Sequence, residues 1–139
     1  MLLDFRFHHI GIATNSIMNT AQHYLDAGYT ISETIYDPVQ NVCIAFLEKS
    51  DTPRIELVEP YSASSLKDSP VNKIIEKSGV SLYHICYEVP NIETAIRELK
   101  PKKYIPLARP VNAIAMNNRR ICFMYNKDVG LVELVEYTA

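Results

Sequence analysis

The chain has 139 residues, 16 acidic against 14 basic side chains, and 47% hydrophobic residues. That length fits one globular unit able to bury roughly 68–70% of its unfolded surface without disulfide staples. The net charge of −2 and the pI near 6.1 argue against nucleic-acid phosphate or an anionic membrane as the main partner. No apolar run approaches the ~18 residues of a membrane span. The opening MLLDFRFHHIGIA lacks a basic leader followed by a long apolar stretch, so no signal peptide and a cytoplasmic location are expected. Cys43, Cys86 and Cys122 have no CxxC spacing and sit in apolar runs, which predicts buried, reduced and chemically inert thiols.

Taken in order, Arg6–Ala13 is rich in β-formers and reads as a strand. Asn15 and Ser16 offer caps for a helix in which Ile17, Met18, Ala21, Tyr24 and Leu25 fall at helical spacing, stopped by Gly28. Tyr29–Tyr36 alternates as a strand and Asp37-Pro38 turns the chain. Asn41–Glu48 and Arg54–Glu59 are two further strands joined by KSDTP. A Ser-rich loop follows from Pro60 to Asp68. Ser69-Pro70 reads as N-cap and first turn of a helix running to Ser78, with Gly79 as its stop. Leu82–Val89 is a strand, Asn91–Leu99 a helix, and Tyr104–Ala108, Arg120–Tyr125 and Leu131–Tyr137 are strands.

The order β-α-β-β-β thus occurs twice, and the letters repeat with it. Ile44–Glu59 aligned with Ile121–Glu136, at an offset of 77 without gaps, gives seven identities in sixteen positions, among them Phe46/Phe123, Glu56/Glu133 and Glu59/Glu136. At an offset of 75, His9-Ile10 matches His84-Ile85, and Ile17 matches Ile92. The expected fold is therefore α+β: two βαβββ half-units from an internal duplication. One domain, 1–139, would hold a first half at 5–60, a linker with a helix at 61–80 and a second half at 81–139.

Each half supplies one His in its first strand and one Glu in its last, 47 residues apart for His9 and Glu56 and 49 for His84 and Glu133. A lone strand His is usually a satisfied core residue, and a lone strand Glu usually faces solvent. The same two residue types at equivalent points of both halves instead predict two His and two Glu at one cavity. Imidazole and carboxylate together suit a divalent ion such as Zn²⁺, Ni²⁺, Co²⁺ or Mn²⁺. Pleat parity places His9 with Phe7, Gly11 and Ala13, whose small members leave room over that face, and turns His8 away.

The layout and the segments FHHIGIA, AFLEKSDTPRIELVEP, KDSPVNKIIEKSG, LYHICYEVPNIETAIREL and NKDVGLVELVE resemble the vicinal oxygen chelate superfamily, which includes glyoxalase I, extradiol dioxygenases and bleomycin-resistance proteins. Within it the chain is most like the methylmalonyl-CoA epimerases. The resemblance implies His9, His84 and Glu133 as metal ligands, with Glu56 at a position that holds Glu or Gln in epimerases and Glu in glyoxalase I. Glu136, on the opposite strand face from Glu133, competes for the last ligand position. The resemblance further implies chelation of a small-molecule substrate through two neighbouring oxygens and stabilisation of an enolate. Glu133, or in second place Glu56, would move the proton, and the chain would form a homodimer.

An acyl-CoA thioester would need cations for its phosphates, and Lys102, Lys103, Arg119 and Arg120 are either those cations or ordinary surface charge. His8 and Tyr83 read as packing residues and His23 as exposed. Some features depart from the epimerase pattern. VNAIAMNNRR replaces a loop containing Gly and His, the turn before the last strand is about two residues shorter, and Ile44 stands near a carboxylate that some epimerases carry. The alternatives are a glyoxalase I-type lyase acting on a hemithioacetal with the same four ligands, or a non-catalytic small-molecule-binding or resistance protein of this fold.

Overall fold

The computed structural model of the chain describes residues 2, 4–61 and 70–137. They form two compact units, one of His9–Tyr83 and one of Met1–His8 with His84–Ala139. The α+β class expected from the sequence is the class observed.

In the first unit, strand β1 (Arg6–Ala13) enters from its first three residues and leads to helix α1 (Ile17–Asp26). The Ser16 hydroxyl accepts the Asn19 N–H at 3.1 Å, which satisfies one of the donors a helix start leaves over. Gly28 follows at φ +94, where a residue with a Cβ would be strained. Four strands complete the unit: β2 (Thr30–Ile31), β3 (Ile35–Asp37), β4 (Val42–Glu48) and β5 (Ile55–Pro60). The sheet order is β2-β4-β5-β1, with β3 also on β4; β1 runs parallel to β5, and the other pairs are antiparallel. Ile17 and Ala21 of α1 bury against Ala45, Leu47, Ile55 and Leu57, so the helix covers one sheet face.

The single strand expected over Tyr29–Tyr36 is instead two short ones. The Ser32 N–H still donates to the Phe46 carbonyl at 2.9 Å, but the Ser32 hydroxyl takes the Phe46 N–H at 2.8 Å, so a side chain replaces the return bond of the ladder and the strand ends there. Helix α2 (Pro70–Ser78) buries Val71 completely and ends where expected, the Gly79 N–H donating to the Ile75 carbonyl at φ +68. The Ser69 cap and most of the Ser-rich loop, residues 62–69, lie outside the described residues.

In the second unit β6 (Ser81–Val89), which begins in the first, leads to helix α3 (Ile92–Leu99) and a 3-10 turn at Lys100–Lys102. The Asn91 side chain caps α3 by accepting the Thr94 N–H at 2.9 Å. Then come β7 (Ile105–Pro106), β8 (Val111–Ala113), β9 (Arg119–Asn126) and β10 (Gly130–Glu136). The sheet order is β6-β10-β9-β7, with β8 also on β9; β10 is parallel to β6 and antiparallel to β9. Its core joins Val89, Ile92, Ala95 and Leu99 to Cys122, Met124, Val132 and Leu134. β7 is shorter than the expected Tyr104–Ala108, and the sequence reading missed β8. Among the described residues no helix is long and apolar enough to cross a membrane.

Candidate functional site

The first unit brings His9 and Glu56 together. Gly11 pairs with Glu56 in the parallel register of β1 and β5, so the alternation of the pleat puts His9 on the Glu56 face. His9 Nε2 lies 3.5 Å from Glu56 Oε1, and their side chains are 0% and 3% exposed. Phe46 stands directly opposite Glu56 in the β4–β5 ladder and meets the His9 ring edge-on, with centroids 5.6 Å apart at 72°.

The second unit repeats the arrangement. His84 Nε2 lies 3.1 Å from Glu133 Oε1, with side-chain exposures of 1% and 2%. Phe123 is the ladder partner of Glu133, and its ring meets that of His84 at 5.3 Å and 85°. A buried carboxylate costs several kcal/mol unless positive charge compensates it. In each unit one imidazole nitrogen and one carboxylate oxygen converge, a donor set that fits a borderline divalent cation. The sequence reading identified both Phe residues as a repeated letter but gave them no part at the site.

The two other repeated glutamates do a different job. Glu59 Oε1 accepts the Ile17 N–H at 2.8 Å, and Glu136 Oε2 accepts the Ile92 N–H at 3.0 Å, so each caps the helix of its own unit. Arg120 adds two bonds to Glu136, at 2.6 and 3.0 Å, and two to Glu93, at 2.6 and 2.9 Å. These guanidinium bonds hold the carboxyls of Glu136 and Glu93 below their ordinary range against the opposing effect of desolvation, and they raise Arg120 in turn. The competing ligand candidate is therefore committed to α3, on the strand face opposite Glu133.

Arg119 is likewise engaged. It contacts Glu88 at 2.7 Å, the Glu136 carbonyl at 3.1 Å and His8 Nε2 at 3.2 Å. His8 thus makes a polar contact where packing was expected. Burial works to raise the Glu88 carboxyl, but the Arg119 hydrogen bond and the nearby His8 and Arg6 outweigh it, and the group is lowered. Lys102 and Lys103 are exposed, as is His23, whereas Tyr83 is buried. Cys86 and Cys122 are buried and Cys43 half-buried, all three as thiols. Desolvation raises Cys43 and Cys122, with smaller contributions from Glu59 and Glu93 respectively. A cavity of about 210 Å³ lies on the α3 side of the second unit, lined by Leu2, Phe5, Tyr87, Leu99, Tyr104 and Val132.

Comparison with known proteins gives a consistent family. Residues 8–123 match the model of the Glyoxalase/Bleomycin resistance protein/Dioxygenase superfamily. The chain is 32% identical to the mitochondrial methylmalonyl-CoA epimerase of Homo sapiens over 93% of its own length and 72% of the human protein's. Its structure is similar to that of a hypothetical protein from Bacillus halodurans, with 30% identity, a TM-score of 0.82 and coverage of 97% and 96% of the two chains. It is also similar to a variant of the Streptomyces coelicolor methylmalonyl-CoA epimerase solved with 2-nitronate-propionyl-CoA. That match has 28% identity, a TM-score of 0.78 and coverage of 96% and 98%.

Proposed function

The chain belongs to the Glyoxalase/Bleomycin resistance protein/Dioxygenase superfamily, and from that membership we propose that it is a metal-dependent epimerase of methylmalonyl-CoA or a similar 2-substituted acyl-CoA thioester. The observation that carries the reading is the doubled pair, His9 with Glu56 and His84 with Glu133, each buried and each flanked by a Phe. In this proposal the four side chains hold one divalent ion, with the two halves of the chain related by duplication. The human and Streptomyces relatives named as epimerases support the substrate class.

When bound, the ion would polarise the thioester carbonyl and favour the enolate left after proton loss. In this proposal Glu133 enters as the carboxylate and takes the proton from C2, Glu56 enters as the carboxylic acid and gives its own proton to the other face, and exchange with water resets the pair. Epimerisation needs the proton to leave one face and come back on the other, and a pair of carboxylates from duplicated halves supplies one for each face. Glu136 and Glu59 do not compete, because α3 and α1 hold them. Arg119 and Arg120 are spent on Glu88, Glu93 and Glu136. That leaves Lys102 and Lys103 among the four candidate cations to meet the phosphates of the thioester.

The test is a paired assay of metal-loaded protein. Deuterium exchange at C2 of methylmalonyl-CoA, with no turnover of the methylglyoxal–glutathione hemithioacetal, is the expected result. Turnover of the hemithioacetal without C2 exchange would replace this reading by a glyoxalase I-type lyase.

A further inference from the structure

We infer that Phe46 and Phe123 are positioning residues, which fix the imidazole planes of His9 and His84 and shield the paired carboxylates from water. The inference rests on the metal-site reading above and concerns what makes that site bind. Three observations carry it.

The first is register. Each Phe stands directly across an antiparallel ladder from the glutamate of its own pair, Phe46 from Glu56 and Phe123 from Glu133. Directly opposed residues bring their Cβ atoms to roughly 4.5–5.5 Å and share a sheet face, so each ring lies on the face that carries its glutamate and histidine. The second is ring geometry. Both contacts are edge-to-face, at 72° and 85°, with centroids 5.6 and 5.3 Å apart. A His ring turns about χ2 in a broad well. A perpendicular aromatic face restricts that turn at no cost in polar groups.

The third observation is exposure. His9, Glu56, His84 and Glu133 are buried, whereas both Phe residues keep part of their surface open. Each Phe therefore borders both a buried donor pair and solvent. An apolar shell of this kind lowers the local dielectric and strengthens charge interactions at the donors.

The aromatic contact is an orienting device common to both imidazoles. Loss of groups that orient metal ligands commonly costs about 10- to 100-fold in metal affinity.

The experiment uses Co²⁺, whose d–d absorption reports ligand geometry independently of any reaction. F46L and F123L remove the ring and keep apolar bulk; F46Y and F123Y keep the ring. Circular dichroism and thermal melts establish that all four fold. Expected are a Co²⁺ dissociation constant raised about tenfold or more in each Leu variant, altered d–d bands, and recovery of both in the Tyr variants. Leu variants that fold and bind Co²⁺ with wild-type affinity and spectrum overturn this inference alone. A wild-type chain that takes up no Co²⁺ overturns the metal-site reading and this inference with it. If the Leu variants do not fold, the Tyr variants decide: wild-type affinity and spectrum support the positioning role, and loss of either contradicts it.

Discussion

Replacing Glu136 by Ala removes a helix cap and an ion pair at once, and the equivalent change at Glu59 removes the cap alone. The Ile92 N–H bond to a charged carboxylate, at 3.0 Å, contributes about 1.5–2 kcal/mol. The Arg120 pair is bidentate, but Arg120 is 38% exposed, so solvent screening limits it to about 0.5–1 kcal/mol. The sum, about 2–3 kcal/mol, lowers the melting temperature by roughly 6–10 °C in a chain of this size. Glu59→Ala loses the 2.8 Å bond to Ile17, with no arginine partner among the described residues, and costs about 1.5–2 kcal/mol. The difference between the two variants in urea melts therefore isolates the Arg120 contribution. Equal losses would refute that contribution, and losses below about 0.5 kcal/mol in both would refute the caps.

The pH dependence has a definite sign. The folded-state pKa of Glu136 is lowered by Arg120, so its stabilisation is fully present above the unfolded value of about 4.3 and disappears as pH falls through the lowered value. The gap in stability between wild type and Glu136→Gln should accordingly narrow as the solution is acidified below about pH 4.

Three further outcomes follow from the same geometry. Cys122 is buried and its thiol raised by desolvation, so an aromatic disulfide reagent at pH 7 should label it only on unfolding, and rapid labelling of the native chain would contradict that burial. Gly28→Ala places a Cβ at φ +94, with Lys49 Cε at 3.6 Å in ordinary contact. The cost is backbone strain of about 1–2 kcal/mol, read from urea melts, and a neutral result would contradict the left-handed turn. Leu134→Ala opens a cavity at a fully buried position and should cost about 2–5 kcal/mol; a loss below 1 kcal/mol would contradict its place in the core.

Much of this was legible in the sequence because it depends on local pattern. Ser16 and Asn91 announce their helices through the side-chain oxygen each places three residues before a free N–H. Repeated letters singled out a His in the first strand and a Glu in the last strand of each half, and the structure sets His9 beside Glu56 and His84 beside Glu133. Pleat parity separated Glu133 from Glu136, yet it could not say which face does which work. That required the Ile92 N–H and Arg120, partners distant in sequence. Arg119 and Arg120 looked like surface charge for the same reason, since Glu88, Glu93 and Glu136 meet them only in the folded chain. Strand β8 was missed because Val111–Ala113 follows a proline and is too short to show alternation. Ser32, which divides the expected second strand, acts through a side-chain bond that no propensity encodes.

The central claim is that His9, Glu56, His84 and Glu133 serve one ion. Elemental analysis of the purified chain and of His9→Ala and His84→Ala tests it most directly. The account predicts one equivalent of divalent metal per wild-type chain and its loss from each single variant, although each substitution leaves the other His–Glu pair untouched. Two equivalents in the wild type, or metal retained in either variant, would contradict it.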